Sequence, residues 1–151
     1  IYTKGDIIRP QYISGESVIE RSIIGEGAEI YGEVHNSVIG ADVTIEKGAV
    51  VRDSIIMKHS RIGAGSQIDK SIIAESVEVG ENVVTGVGEE APNVLKPAVY
   101  GFGLVTIAEN SVIPSGVKIG KNTAISGETT AEDYPDGELV SGGAIVKKDG
   151  E

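Results

Sequence analysis

A chain of 151 residues is long enough for one domain, and 23 acidic against 13 basic residues give it a formal net charge of −10. That balance argues against a nucleic-acid binder, which needs a basic face, and against an anionic membrane surface as partner. Without cysteine there is no disulfide or thiolate metal site, no apolar run reaches the ~18 residues of a membrane-spanning helix and no signal peptide is visible, so a cytoplasmic protein is expected.

In chain order, residues 1–12 (IYTKGDIIRPQY) lack any repeat and contain Pro10. They predict an extended arm that arrives from something upstream, and a start at Ile1 with no Met suggests a piece of a longer protein. From residue 13 a large aliphatic recurs every five or six residues, with one step of nine between Ile30 and Ile39: Ile19, Ile24, Ile30, Ile39, Ile45, Val51, Ile56, Ile62, Ile68, Ile73 and Val79. Two positions before each stands a smaller residue, such as Ser17, Ser22, Ala28, Ser37, Ala49, Ser54, Ser60, Ser66 or Ser71. Neither the helical period of 3.6 nor the strand period of 2 explains this spacing, whereas a hexapeptide β-helix does. Each hexad is a short strand plus a turn, and three of them close one triangular coil. The aliphatic points inward and the small residue fits the corner.

Arg21-Ser-Ile-Ile, Asn36-Ser-Val-Ile, Asp53-Ser-Ile-Ile and Lys70-Ser-Ile-Ile read as four versions of one rung, with serines 15, 17 and 17 residues apart. A coil is therefore about 17 residues, two hexads and a pentad, and the short one has its irregular side near Val34. The fold class predicted is all-β, a left-handed parallel β-helix, with the hand taken from the repeat type. Glycine follows the aliphatic at Ile24-Gly, Ile39-Gly, Ile62-Gly, Val79-Gly and Ile119-Gly, which is read as a demand for positive φ.

Residues 86–104 lose the period and hold four glycines and two prolines, which predicts a projecting loop. Its Tyr100 and Phe102, beside Val94, Leu95 and Val99, make it a candidate contact element. Residues 105–127 resume the repeat with Ile107, Ile113, Ile119 and Ile125. The acidic stretch 128–138 is expected to be loose, and 139–146 to form a last strand or cap. The β-helix domain as a whole is placed at 13–151.

Chemical motifs are few. Gly86-Val-Gly88-Glu-Glu-Ala91 imitates a dinucleotide fingerprint, but Pro92 follows and no helix is there to hold a pyrophosphate. His35 and His59 are considered as bases for acyl transfer from coenzyme A, against the reading of two surface residues. Two histidines cannot supply a three-histidine metal site. No catalytic, cofactor or metal residues are assigned.

Three segments carry a resemblance: Arg9-Pro-Gln-Tyr-Ile13, Lys47-Gly-Ala-Val-Val-Arg-Asp-Ser-Ile-Ile-Met57 and Val112-Ile-Pro-Ser-Gly-Val-Lys-Ile-Gly120. In these the chain resembles the C-terminal β-helix domain of bacterial glucose-1-phosphate adenylyltransferase. That family makes ADP-glucose and pyrophosphate from ATP and glucose 1-phosphate with Mg²⁺, in glycogen synthesis. The resemblance implies that ATP and Mg²⁺ are handled by an N-terminal catalytic domain outside this chain. It also implies that the β-helix serves assembly, usually as a homotetramer, and control by phosphorylated metabolites. Ser141-Gly-Gly-Ala-Ile-Val146 followed by Lys147 and Lys148 is similar to the family's last strand and its effector-binding basic residue, so Lys148, then Lys147, are the candidate effector contacts. A second basic position of the family falls on Glu75 or Glu109 here, and a glutamate would repel phosphate. The alternatives are a non-catalytic regulatory paralogue of that enzyme and a stand-alone hexapeptide acyltransferase.

Overall fold

Residues 10–147 are described by a computed structural model, in which short parallel strands stack into three ladders. The first face holds six strands and the second and third hold seven each, every strand hydrogen-bonded to its counterpart in the next coil. The first face carries Ile13, Ile30, Ile45, Ile62, Val79 and Ile113 in register. Ile45, Ile62 and Val79 therefore share one side, as the 17-residue repeat requires. On the second face Ile19, Val34, Val51 and Ile68 stack, and on the third Ile24, Ile39, Ile56, Ile73, Ile107, Ile125 and Ile145. From Ile30 to Ile125 the recurring aliphatics are at most 2% exposed, while Ile19 and Ile24 in the end coil are only partly covered.

Val34 comes four positions after Ile30, and not six, and this is the short side of the second coil. Buried Gly32 makes it possible, because a Cβ there would stand 2.3 Å from the Ala49 carbonyl oxygen. The corner serines do more than save space. Ser37, Ser54 and Ser71 donate their hydroxyls to the carbonyls of His35, Arg52 and Asp69 at 2.8, 2.6 and 3.0 Å. The hydroxyls of Ser22, Ser37 and Ser54 each accept the N–H of the next serine in the ladder at 3.1, 3.2 and 3.1 Å. A buried corner thus leaves no polar group unpaired, and among the described residues no buried side-chain nitrogen or oxygen lacks a partner.

Four expectations are corrected. The glycines after the aliphatic are not the positive-φ residues. That conformation falls further into the turn, at Asp42, His59, Ser76 and Asn110 and at Gly48 and Gly65. Gly25, Gly40, Gly63, Gly80 and Gly120 are needed because a Cβ would come within 2.3–2.8 Å of the next coil's backbone. Tyr12 is not part of a leading arm: strand Tyr12–Ile13 pairs with Glu29–Ile30 and opens the first coil. Residues 1–9 lie outside the described part. Strand Val84–Val87 runs two residues into the predicted loop, which spans 88–104. The stretch 128–138 is not loose. It forms two short 3₁₀ turns, Ala131–Asp133 and Pro135–Gly137, and drives Tyr134 into the core at 2% exposure. The Tyr134 hydroxyl meets Thr129 Oγ1 at 2.7 Å, and Thr129 in turn donates to the Val112 carbonyl at 2.6 Å. The last strands, Glu138–Leu139 and Ala144–Val146, then cover the edges of the preceding coil.

The loop is pinned at its base and free at its tip. Buried Asn93 donates to the Asn122 carbonyl at 2.8 Å and accepts the N–H groups of Leu95 and Lys96 at 2.8 and 3.1 Å. Asn122 answers with its own side chain, donating to the Ala91 carbonyl at 3.0 Å and accepting the Gly103 N–H at 2.7 Å. Val94, Leu95, Val99 and Phe102 remain exposed. No α-helix occurs among the described residues.

Candidate functional site

The corner between the third and first faces gathers most of the residues the sequence singled out. Two places after the buried aliphatic of each coil come Glu26, Ala41, Lys58, Glu75 and Glu109, and higher in the same column Gly127 and Lys147. Glu75 and Glu109, two separate matches for one basic position, are therefore neighbours one coil apart. The Asn110 N–H donates to the Glu75 carbonyl at 3.0 Å across that step. Lys58 lies 3.9 Å from Glu75. Lys147 stands two coils above Glu109, about 10 Å away by the rung spacing.

Lys147 is already engaged. Its Nζ lies 2.5 Å from Asp133 Oδ2, and the Thr130 N–H donates to the same oxygen at 2.7 Å. The lysine first, then that backbone N–H, hold the Asp133 carboxyl below the usual range. Gly127 gives Lys147 its place, since a Cβ on it would stand 2.7 Å from the lysine's own Cβ. So Lys147 ties the last strand to the 3₁₀ turn of the cap. Lys148 lies outside the described residues. Over the described part the corner offers two cations and four anions when Glu26 is left aside — Lys58 and Lys147 against Glu75, Glu109, Asp133 and neighbouring Glu128 — and does not form an open basic pocket.

The histidines are not brought together. His35 stands on strand Glu33–His35, its Nδ1 3.3 Å from Glu20 Oε2 and its Nε2 3.2 Å from Glu33 Oε2. Both nitrogens are turned to carboxylates, which leaves neither aimed at a substrate proton. His59 sits at a positive-φ turn with Nδ1 3.6 Å from Asp42. Two shallow grooves lie elsewhere on the described surface. One, of about 250 Å³, lies between Arg61, Glu46, Glu78, Glu81 and Ser115, with the Arg61 guanidinium bound to Glu46 at 2.7 Å. The other, of about 200 Å³, lies beside Tyr31, Glu33 and Lys47. Neither is lined by a nucleophile with an adjacent base. Among the described residues no group of three or more His, Cys, Asp or Glu is placed to hold a metal ion.

The family described as GlmU-like, C-terminal hexapeptide matches residues 11–105. The chain belongs to this family. The chain is 64% identical over 147 residues to a glucose-1-phosphate adenylyltransferase of Lachnospira eligens, covering 97% of this chain and 35% of the relative. The protein of that name from Acetivibrio thermocellus is 42% identical over 147 residues, covering 97% of this chain and 34% of the relative. The chain spans about a third of the length of these relatives. Among solved structures, the acetyltransferase domain of PglB from Neisseria gonorrhoeae superposes with a TM-score of 0.52 at 15% identity, over 93% of this chain and 51% of that one. That likeness concerns the fold alone. No described helix is long and apolar enough to cross a membrane.

What the sequence reading missed are the structural asparagines and the outward face of the third ladder. Asn93 could have been suspected as the lone amide in an apolar, glycine-rich loop. The outward face was written in the doubled aliphatics of Ser-Ile-Ile, of which only the second can point inward.

Proposed function

We propose that the chain is the assembly and regulatory β-helix of a glucose-1-phosphate adenylyltransferase, with the nucleotidyl transfer from ATP to glucose 1-phosphate carried by residues outside it. The observation that carries this reading is the 64% identity across 147 residues to a relative of that name. A stack of hydrogen-bonded ladders is a rigid support with long flat faces, and both histidines face carboxylates rather than a serine or threonine hydroxyl. The chain's residues bind, brace and position; they move no proton of the reaction. Oligomer formation, as a tetramer, and contact with a catalytic domain belong to this reading.

For regulation we propose Lys148 as the main contact to an effector phosphate. Lys147 would have to exchange Asp133 for the ligand, which makes it the weaker partner. Stacked Glu75 and Glu109 on the same corner oppose an anion. Loss of one charge-assisted lysine contact corresponds to roughly ten- to a hundredfold in affinity. Lys148→Ala is expected to raise the half-activating effector concentration about that much in the full-length enzyme, and Lys147→Ala less.

The test of the main reading is a pair of assays on the 151-residue chain. No pyrophosphate is expected from ATP plus glucose 1-phosphate, and no coenzyme A from acetyl-coenzyme A. Acetyl transfer abolished by His35→Ala or His59→Ala would replace the proposal by the acyltransferase reading.

A further inference from the structure

Strand alternation sends one of each doubled aliphatic inward and the other outward. Ile24, Ile39, Ile56 and Ile73 go in, and Ile23, Val38, Ile55 and Ile72 go out, in register over four successive coils. Ile23, Val38 and Ile55 are 68%, 41% and 42% exposed, and Met57 widens the stripe beside Ile55. The outward register of the first face reads Tyr12, Glu29, Thr44, Arg61, Glu78 and Val112, and that of the second is also mixed. The third face is the one whose lower coils present only hydrocarbon. Above them the same register continues with small Thr106, Ala124 and Ala144.

The rims of this stripe say what covers it. At the corner where each strand begins stand Arg21, Asn36, Asp53 and Lys70, and at the corner where it ends stand Glu26, Ala41, Lys58 and Glu75. Coil by coil the two corners are plus and minus, neutral and neutral, minus and plus, plus and minus. Alternation along one column already follows from stacking, since like charges one rung apart repel; Lys58 beside Glu75 is an example. Stacking does not fix the sign across the face. A second copy does. If two faces meet about a two-fold axis parallel to the coil stack, each beginning corner lies over the ending corner of the same coil in the partner. Arg21 then meets Glu26, Asp53 meets Lys58 and Lys70 meets Glu75, each pair made twice. Inverting one copy would set Arg21 against Lys70 and Glu26 against Glu75.

We propose that the third face of the lower four coils is a homodimer interface in which two copies pack face to face with their coils parallel. The inference deepens the assembly role proposed above and rests on it. Four coils at about 4.8 Å by five extended residues give only about 300 Å² per copy, below the ~800 Å² of a standard interface, so the isolated contact is weak, with a Kd in the micromolar range.

The chain has no cysteine, so single cysteines report directly. Facing sheets stand about 10 Å apart, beyond disulfide reach, which calls for a short bismaleimide. Light scattering of the wild-type chain across the micromolar range is expected to show dimers. Ile23→Cys and Ile72→Cys are each expected to cross-link to themselves, and not to one another when mixed. Glu26→Arg, in the end coil where the next residues in the two columns are the neutral Asn36 and Ala41, is expected to weaken the dimer about tenfold, and R21E/E26R to restore it. Monomers at every concentration would overturn the face and the assembly role of this chain together. Oligomers without self-cross-links at 23 and 72, or cross-links only in the mixture, would overturn this face while leaving assembly intact. The face would equally be lost to another occupant if Ile72→Cys were shielded from alkylation only in the full-length enzyme, without self-cross-linking.

Discussion

The lower coils, residues 12–85, and the upper part, residues 88–147, solve the same problem by different means. In the lower coils one solution repeats: an inward aliphatic, a corner serine, a close-packed glycine. Each rung is held by the rungs on either side, so apart from Gly32 at the short side the same roles recur from coil to coil. In the upper part single residues hold whole segments. Asn93 and Asn122 brace the loop, Tyr134 plugs the end, and Lys147 with Asp133 closes the cap. The repeat gives stiffness through redundancy; the cap and loop depend on individual side chains that have no second copy.

The largest effect should come from removing a rung. Ile62→Ala, at a site with 0% exposure, is expected to lose about 2–5 kcal/mol in urea unfolding, because rigid ladders cannot close over the cavity. Ile145→Ala in the half-covered last coil should lose clearly less. Equal losses would erase the distinction between the two regions.

Gly63→Ala should follow, at about 1–3 kcal/mol, because its Cβ would stand 2.3 Å from the Gly80 carbonyl oxygen. Gly137→Ala in the cap has open space around it and bears only the cost of its φ of 75°, about 1 kcal/mol or less. Thermal melts of the pair compare stacking with backbone preference directly.

Asn93→Ala is expected to release the loop while the prism stays folded. Amide exchange should accelerate across 91–96 and stay slow at Ile45, Ile62 and Val79, with about 1–3 kcal/mol lost locally. Faster exchange throughout would make the loop part of the cooperative core.

The smallest effect is a pH dependence. Burial pushes the Tyr134 hydroxyl up to about 12. In the unfolded chain it ionises near its ordinary value of about 10. Its contribution is therefore fully present below pH 10 and declines as pH rises from 10 toward 12. Tyr134→Phe should flatten that alkaline loss, at the cost of the hydrogen bond to Thr129, about 1 kcal/mol at neutral pH.

The same contrast explains what could be read from the sequence. A repeat announces itself, and the period placed Ile45, Ile62 and Val79 on one side, put the short side near Val34 and set the loop between two runs of hexads. The reason for the glycines after the aliphatics was misread, because the distance between successive coils is not visible in a turn propensity. The cap was misjudged as loose because one buried tyrosine outweighs an acidic, turn-rich composition. On the candidate corner, the placement of Glu75 directly below Glu109 follows from the inserted loop, which hides the coil count. The pairing of Lys147 with Asp133 is a tertiary contact that no spacing encodes.

The proposed assembly role is tested most directly by the mass of the full-length protein with and without residues 10–147, measured by light scattering alongside its turnover of ATP and glucose 1-phosphate. A fall from the oligomer to a smaller species, with pyrophosphate formation retained and effector response lost, is the expected result. An oligomer of unchanged subunit number after removal of these residues would contradict it.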